Sequence, residues 1–227
     1  MKNKVELLGH YGSDEVIACS AWTSTSRNLT ESKRQRIGTL IDMLWSEGHE
    51  TPFEKGIVHF LVDTDIATHI HLLKHRISSL NAESARYKEL KEDKYYTPDD
   101  WKGIPVGKEL YSGPSRFKVG PDCTWMETLV EYTRIGNMLY HQCIKDLTPI
   151  LGRKRAKESA RFFKTYNSQI QADITFNMRS FANFQKLRNS EQAQLEVKEI
   201  AQQMLELVEN IEGNPFQYTL NSFKERK

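Results

Sequence analysis

From Cys123 to about Ile150 the chain reads as one long amphipathic helix, so any fold it adopts must be organised around long helices. A shorter helical segment follows over Arg153 to Phe163. Two more lie near residues 178–188 and 191–211, the last placing Leu195, Ile200, Met204 and Leu207 or Val208 towards a core. Upstream, residues 30–48 have the same spacing: Thr30 can cap, Ile37, Leu40, Ile41 and Leu44 share a face, and Gly48 stops the run. Asp65 can cap a helix to about residue 76, with Ile66, Ile70 and Leu73 as its apolar positions. Strand patterns are fewer and shorter, at residues 3–8, 56–62 and 164–176. The predicted class is α+β, with long helices packed around a small mixed or antiparallel sheet. Apolar helix faces serve equally for the protein's own core and for partner subunits.

The 227 residues suit one domain spanning 1–227. An apolar fraction of 38% and a mean hydropathy of −0.62 imply much polar surface, or a core shared between subunits. A net charge of +2 gives no broad surface for nucleic acid or membrane, so any anion site must be local. No apolar run approaches the roughly 20 residues that span a bilayer, and the N-terminus lacks the apolar stretch of a signal peptide. Cys19, Cys123 and Cys143 form no CxxC and no disulfide framework, which fits a reducing cytoplasm. Residues 94–121, with Pro98, Pro105, Pro114 and Pro121, read as irregular and mobile, with Trp101 and Tyr111 able to pin the segment down.

Residues 74–87 are the chemically densest stretch. Lys74, His75 and Arg76 stand in a row, followed by Ser79, Asn81, Ser84, Arg86 and Tyr87, with few carboxylates to neutralise them. Such a segment can wrap an anionic, planar ligand, with cations for phosphate and hydroxyls or amides for ring edges. It can equally be a cation-rich helix end entering a polar loop. His71 and His75, four apart on the predicted helix, share a face. With His69 they could begin a zinc site, but no nearby carboxylate or Cys completes it and HExxH is absent, so no metal is expected. A second dense patch runs from Asn177 to Arg188. On a helix, Arg179 and Asn183 align on one face, while Phe181 and Phe184 belong to a core. Residues 49–54, His-Glu-Thr-Pro-Phe-Glu, read as a turn with Phe53 buried and Glu54 on the surface. No GxSxG, Walker loop or Rossmann fingerprint is present.

The first stretch resembles the signature of flavin-dependent thymidylate synthases, Arg-His-Arg-x-x-Ser-x-Asn-Glu-x-Ser-x-Arg-Tyr. His75, Arg76, Ser79, Asn81, Ser84, Arg86 and Tyr87 match at the family's spacing; Lys74 replaces an Arg and Ala82 a Glu. The likeness extends from about residue 20 to 210. It takes in the His-x-Thr-Pro-Phe-Glu string, Ala160-Arg161, the Asn177–Arg188 patch and Ala193-Gln194-x-Glu196, with Gln192 where a His is frequent and His71 where Gln is. The resemblance implies FAD contacts at His49, Thr51, Lys74, His75, Arg76, Asn177, Arg179 and Asn183. It implies nucleotide contacts at His71, Lys74, Ser84, Ala85, Arg86, Arg161 and Arg188, with Arg188 as the catalytic group. The implied reaction is reductive methylation of dUMP to dTMP without a cysteine nucleophile. Methylenetetrahydrofolate would donate the carbon and NADPH the electrons, in a homotetramer with shared sites. A methylase or hydroxymethylase of another pyrimidine nucleotide such as dCMP, or a non-catalytic flavin- or nucleotide-binding homologue, are the alternatives.

Overall fold

The computed structural model describes residues 2–107 and 119–224. The expectations placed on Tyr111 and Pro114 lie outside them. By contact the chain divides into two compact units. One holds residues 1–2, 64–69 and 82–170; the other holds 3–63, 70–81 and 171–227.

The second unit carries most of a four-stranded sheet in the order β1-β2-β4-β3. Its strands are β1 (Lys4–Tyr11), β2 (Ile57–Asp65), β3 (Ser79–Ala82) and β4 (Gln169–Asn177). β1 and β2 are antiparallel, with a register shift between Leu7 and Gly9. His59 meets Asp173 at 2.8 Å and Gln171 donates to Asp63 at 3.2 Å, contacts that step in opposite senses along β2 and β4, as antiparallel neighbours do. Val58, Phe60 and Val62 alternate inwards from β2, and Ala172, Ile174 and Phe176 from β4.

Helices cover the buried face of that sheet: α1 (Asp14–Ala21), α3 (Ile37–Ser46), α7 (Met178–Arg188), α8 (Leu195–Glu209) and α9 (Gln217–Lys224), with the one-turn α2 (Glu31–Arg34) preceding α3. Phe60, Phe176, Phe181 and Phe184 are fully buried or nearly so, and Phe176 lies 5.1 Å from Phe184 and 6.1 Å from Phe181. Each such side chain contributes about 1.5–3 kcal/mol on burial. Asn177 starts α7 by accepting from the Ser180 amide at 2.8 Å.

The described residues correct several boundaries. The helix expected over 30–48 is interrupted at Gln35–Arg36, since Thr30 caps only the first turn. Asp65 does cap α4 (Ile66–Leu72), its Oδ1 accepting from the Thr68 amide at 2.9 Å, but that helix ends four residues before Arg76. Ser78 donates its hydroxyl to the His75 carbonyl at 2.5 Å, a local bond that competes with helix continuation. His71 and His75 are therefore not on one helix, and the chain turns into β3. The strand expected from residue 164 begins at Gln169. Helices α1 and α9 had no counterpart in the sequence reading.

The first unit is built on α5 (Trp125–Leu151) and α6 (Arg153–Ala160). A reciprocal capping box between Thr124 and Glu127 starts α5, and Gly152 at φ 78° ends it. Tyr140, Ile144 and Ala160 form its core. Lys164, its side chain 4% exposed, donates to Asp93 and Asn137 at 2.8 and 2.7 Å and sits over the Tyr140 ring. α5 approaches the Arg161–Phe163 turn so closely that a Cβ on Gly136 would lie 2.6 Å from the Phe163 carbonyl oxygen. Gly136→Ala gains helix propensity worth about 1 kcal/mol, yet the overlap is with backbone. We expect a net destabilisation of about 1–3 kcal/mol in denaturant unfolding; an equally stable variant would show that the turn yields without cost.

Candidate functional site

Within the second unit, α7 forms one wall of a cavity of about 840 Å³. Arg179, Asn183 and Arg188 line it from α7; Lys74, Arg76 and Ile77 line it from the turn after α4. The opposite faces of α7 have opposite uses. Phe181, Ala182 and Phe184 are buried, while Arg179 and Asn183 are exposed along one edge, the alignment expected from their four-residue spacing. Trp45, Leu205 and Phe223 add apolar wall beside these polar groups, a mixture suited to a ligand with both a flat ring system and charge.

Arg188 is the last residue of α7. Its Nε donates to His75 Nε2 at 2.9 Å. The His75 ring stands edge-on to Phe184, centroids 4.9 Å apart at 76°. Burial, then the nearby Arg188 and His71, push the His75 pKa down to about 4. The ring is thus neutral at physiological pH, with Nε2 as acceptor and its proton on Nδ1.

Arg179 is clamped by two carboxylates, Nε to Glu50 at 2.7 Å and Nη1 to Glu54 at 2.8 Å. Neither pairing is expected from the turn chemistry of residues 49–54, which puts Glu54 on the surface. The detectable signal is two acidic residues four apart within the His-x-Thr-Pro-Phe-Glu string that resembles the family's. His49 and Thr51, expected to touch a flavin, are exposed and do not line the cavity, although Glu50 between them does. Asn177 spends its side-chain oxygen on capping α7. His71 lies on α4, half-buried and outside the cavity lining.

The remaining residues of the matched motifs lie in the first unit. Ser84 opens a turn, its carbonyl accepting from the Tyr87 and Lys88 amides at 3.0 Å each, and Ala85 is half-buried within it. Arg86 Nε donates to Glu158 at 3.1 Å, so Arg86 meets α6 one turn before the exposed Arg161. Where the family signature has Glu, Ala82 ends β3 and offers no carboxylate; the adjacent Glu83 pairs with Lys88 at 2.5 Å. Among the described residues no cluster of three or more His, Cys, Asp or Glu side chains is placed to hold a metal.

The fold and this cavity define an α+β protein with a cation-lined pocket between a helix wall and the turn after α4. Residues 6–212 match the family described as thymidylate synthase complementing protein. A flavin-dependent thymidylate synthase from Pseudothermotoga lettingae is 30% identical over 207 residues, covering 91% of this chain and 85% of that one. One from Tropheryma whipplei is 31% identical over 190 residues, covering 82% and 76%. The structure of the UMP/dUMP methylase PolB from Streptomyces cacaoi bound with 5-Br dUMP superposes with a TM-score of 0.71 at 26% identity, over 99% of this chain and 95% of that one. The chain belongs to the flavin-dependent thymidylate synthase family.

The depressed His75 pKa carries a sign. Between its ordinary value of 6.5 and about 4, the unfolded chain binds this proton and the folded protein does not. The penalty is absent above 6.5 and grows as pH falls towards 4. Denaturant unfolding should therefore show a steeper loss of stability on acidification through that window than His75→Gln shows, and the His75 ring resonances should not titrate near neutrality.

Proposed function

We propose that this enzyme catalyses reductive methylation of dUMP to dTMP, with FAD as bound redox carrier, methylenetetrahydrofolate as carbon donor and NADPH as electron source. The observation that carries the reading is Arg188: a guanidinium in the cavity wall, tethered through Nε, beside Lys74, Arg76, Arg179 and Asn183. The cavity's volume and its pairing of cations with apolar wall fit a flavin, with Lys74, Arg76 and Arg179 for pyrophosphate and Leu187 and Leu205 against the ring. The redox chemistry of carbon and hydride transfer is supplied by the flavin when bound.

The chain's own residues bind, orient and polarise. Uracil C5 is a poor nucleophile until electron density enters the ring. A cysteine adding to C6 is one route, but none of the three cysteines lines this cavity. Cys123 Sγ is bonded to the Gly120 backbone, and Cys143 packs on the Tyr140 cluster. Arg188 offers the other route: a charge-assisted bond that favours the N3-deprotonated pyrimidine. The family resemblance assigns Arg86, Arg161 and Ser84 to the nucleotide phosphate and ribose. A homotetramer agrees with the surface of α5, which leaves Tyr132, Leu139 and Ile150 exposed by 57%, 40% and 76%.

Steady-state assay of Arg188→Ala should show flavin retained and turnover down by roughly 10²–10³; near wild-type turnover would remove Arg188 from the chemistry. The likeness to a UMP/dUMP methylase, also solved with 5-Br UMP at 25% identity, favours a second reading in which the ribonucleotide is a substrate too. Product analysis with dUMP, UMP and dCMP decides between the two, and absence of any product supports a binding protein instead. Lys74→Arg restores a planar fork and Ala82→Glu a carboxylate. We expect each to alter nucleotide affinity or turnover; unchanged values in both would show that these departures are neutral.

A further inference from the structure

Arg188 ends its helix with a long side chain whose several torsions would let the guanidinium wander. What restrains it is His75. The His75 amide donates to the Leu72 carbonyl at 3.1 Å, and its own carbonyl accepts from Ser78. The ring edge rests on Phe184, a fully buried side chain that itself packs on Phe176 at 5.1 Å. A rigid core thus fixes the ring, and the ring fixes one point of the guanidinium.

Resting on the functional reading above, we propose that His75 is a positioning residue for Arg188: its Nε2 takes the Nε–H bond, so that both terminal nitrogens of the guanidinium face the ligand in one orientation. The arrangement depends on the imidazole being neutral. A protonated ring would present a donor to a donor and push the guanidinium away. Burial and the two flanking groups, Arg188 and His71, keep it neutral. This role is distinct from a direct flavin contact by His75, for which only Nδ1–H remains once Nε2 is committed.

The test uses the full-length protein and three substitutions. His75→Phe keeps the ring on Phe184 and removes the acceptor, whereas His75→Gln returns an acceptor at about the Nε2 distance. In His75→Phe, kcat should fall roughly ten- to a hundredfold, as expected for a misplaced catalytic group, with flavin and nucleotide affinities within about threefold. His75→Gln should recover most of the loss. In an Arg188→Lys background, which lacks Nε–H, His75→Phe should cost little more, because the pair acts as a unit. An activity-independent readout is the Arg188 Nε–H resonance in 15N-labelled protein, protected in wild type and in His75→Gln but exchanging freely in His75→Phe.

Unchanged kcat in His75→Phe, additive losses in the double variant, or loss of flavin binding as the main effect would each overturn the proposal. If wild type turns over no pyrimidine nucleotide, the functional reading fails, and the Arg188 resonance still decides whether His75 holds it. If His75→Phe does not fold, that resonance in His75→Gln decides instead, identified by its absence from Arg188→Lys: protection lost in His75→Gln overturns the assignment.

Discussion

The packed phenylalanines beneath α7 are the constraint on which the pocket depends. β4 delivers Phe176 to the core, Asn177 caps the turn, and Phe181 and Phe184 lock the helix face against the sheet. The two buried rings leave α7 little freedom to rotate, since turning it would expose Phe181 and Phe184 at a cost of about 1.5–3 kcal/mol each. With one face fixed, the opposite edge has no choice but to project Arg179, Asn183 and Arg188 into the cavity. Phe184 does more than fill space, because its ring also supports His75. The apolar core therefore reaches the cavity wall through two contacts, ring to ring and then nitrogen to nitrogen. A small loss of packing at Phe184 would be felt at the guanidinium.

Charge is handled locally. A chain of net charge +2 concentrates cations on one helix edge and one turn, then tempers them with selected carboxylates. Glu50 and Glu54 hold Arg179, and Glu158 holds Arg86. All of these are at least partly open to solvent, so none is worth much as a stabilising pair. Their effect is orientation: a carboxylate fixes the fork of a guanidinium that would otherwise sample many rotamers. An anionic ligand that reached either guanidinium would have to share it with the carboxylate or displace it.

The α+β class and most elements were legible because their signals are local. The period of α5, the apolar run of β2 and the alternation in β4 each announce themselves over a few residues. Helix α7 was legible from the spacing of Phe181, Phe184 and Arg188. Helix α9 was not, since its start depends on Asp14, whose carboxylate accepts from Tyr218, Thr219 and the Thr219 hydroxyl from across the chain. Burial raises the Asp14 pKa while those three bonds lower it, a balance no window of sequence contains. Helix α1 carries its own cap, Ser13 followed by Asp14 and Glu15, but is too short for its periodicity to stand out. The end of α4 was misplaced for a different reason: periodicity continues to residue 76, but Ser78 offers the His75 carbonyl a competing partner.

That misplacement is chemically consequential. On a continuous helix, His71 and His75 would be one turn apart and equivalent. The early stop separates them: His71 stays on α4, while His75 enters the turn that faces α7. The same stop sends the chain into β3, whose extended geometry turns neighbouring side chains to opposite sides. Glu83 lies one residue beyond that strand and pairs with Lys88, so it supplies no carboxylate in place of the one absent at position 82. The motif could be matched letter by letter from the sequence. Which of its residues act on a ligand and which act on one another is decided by where α4 ends.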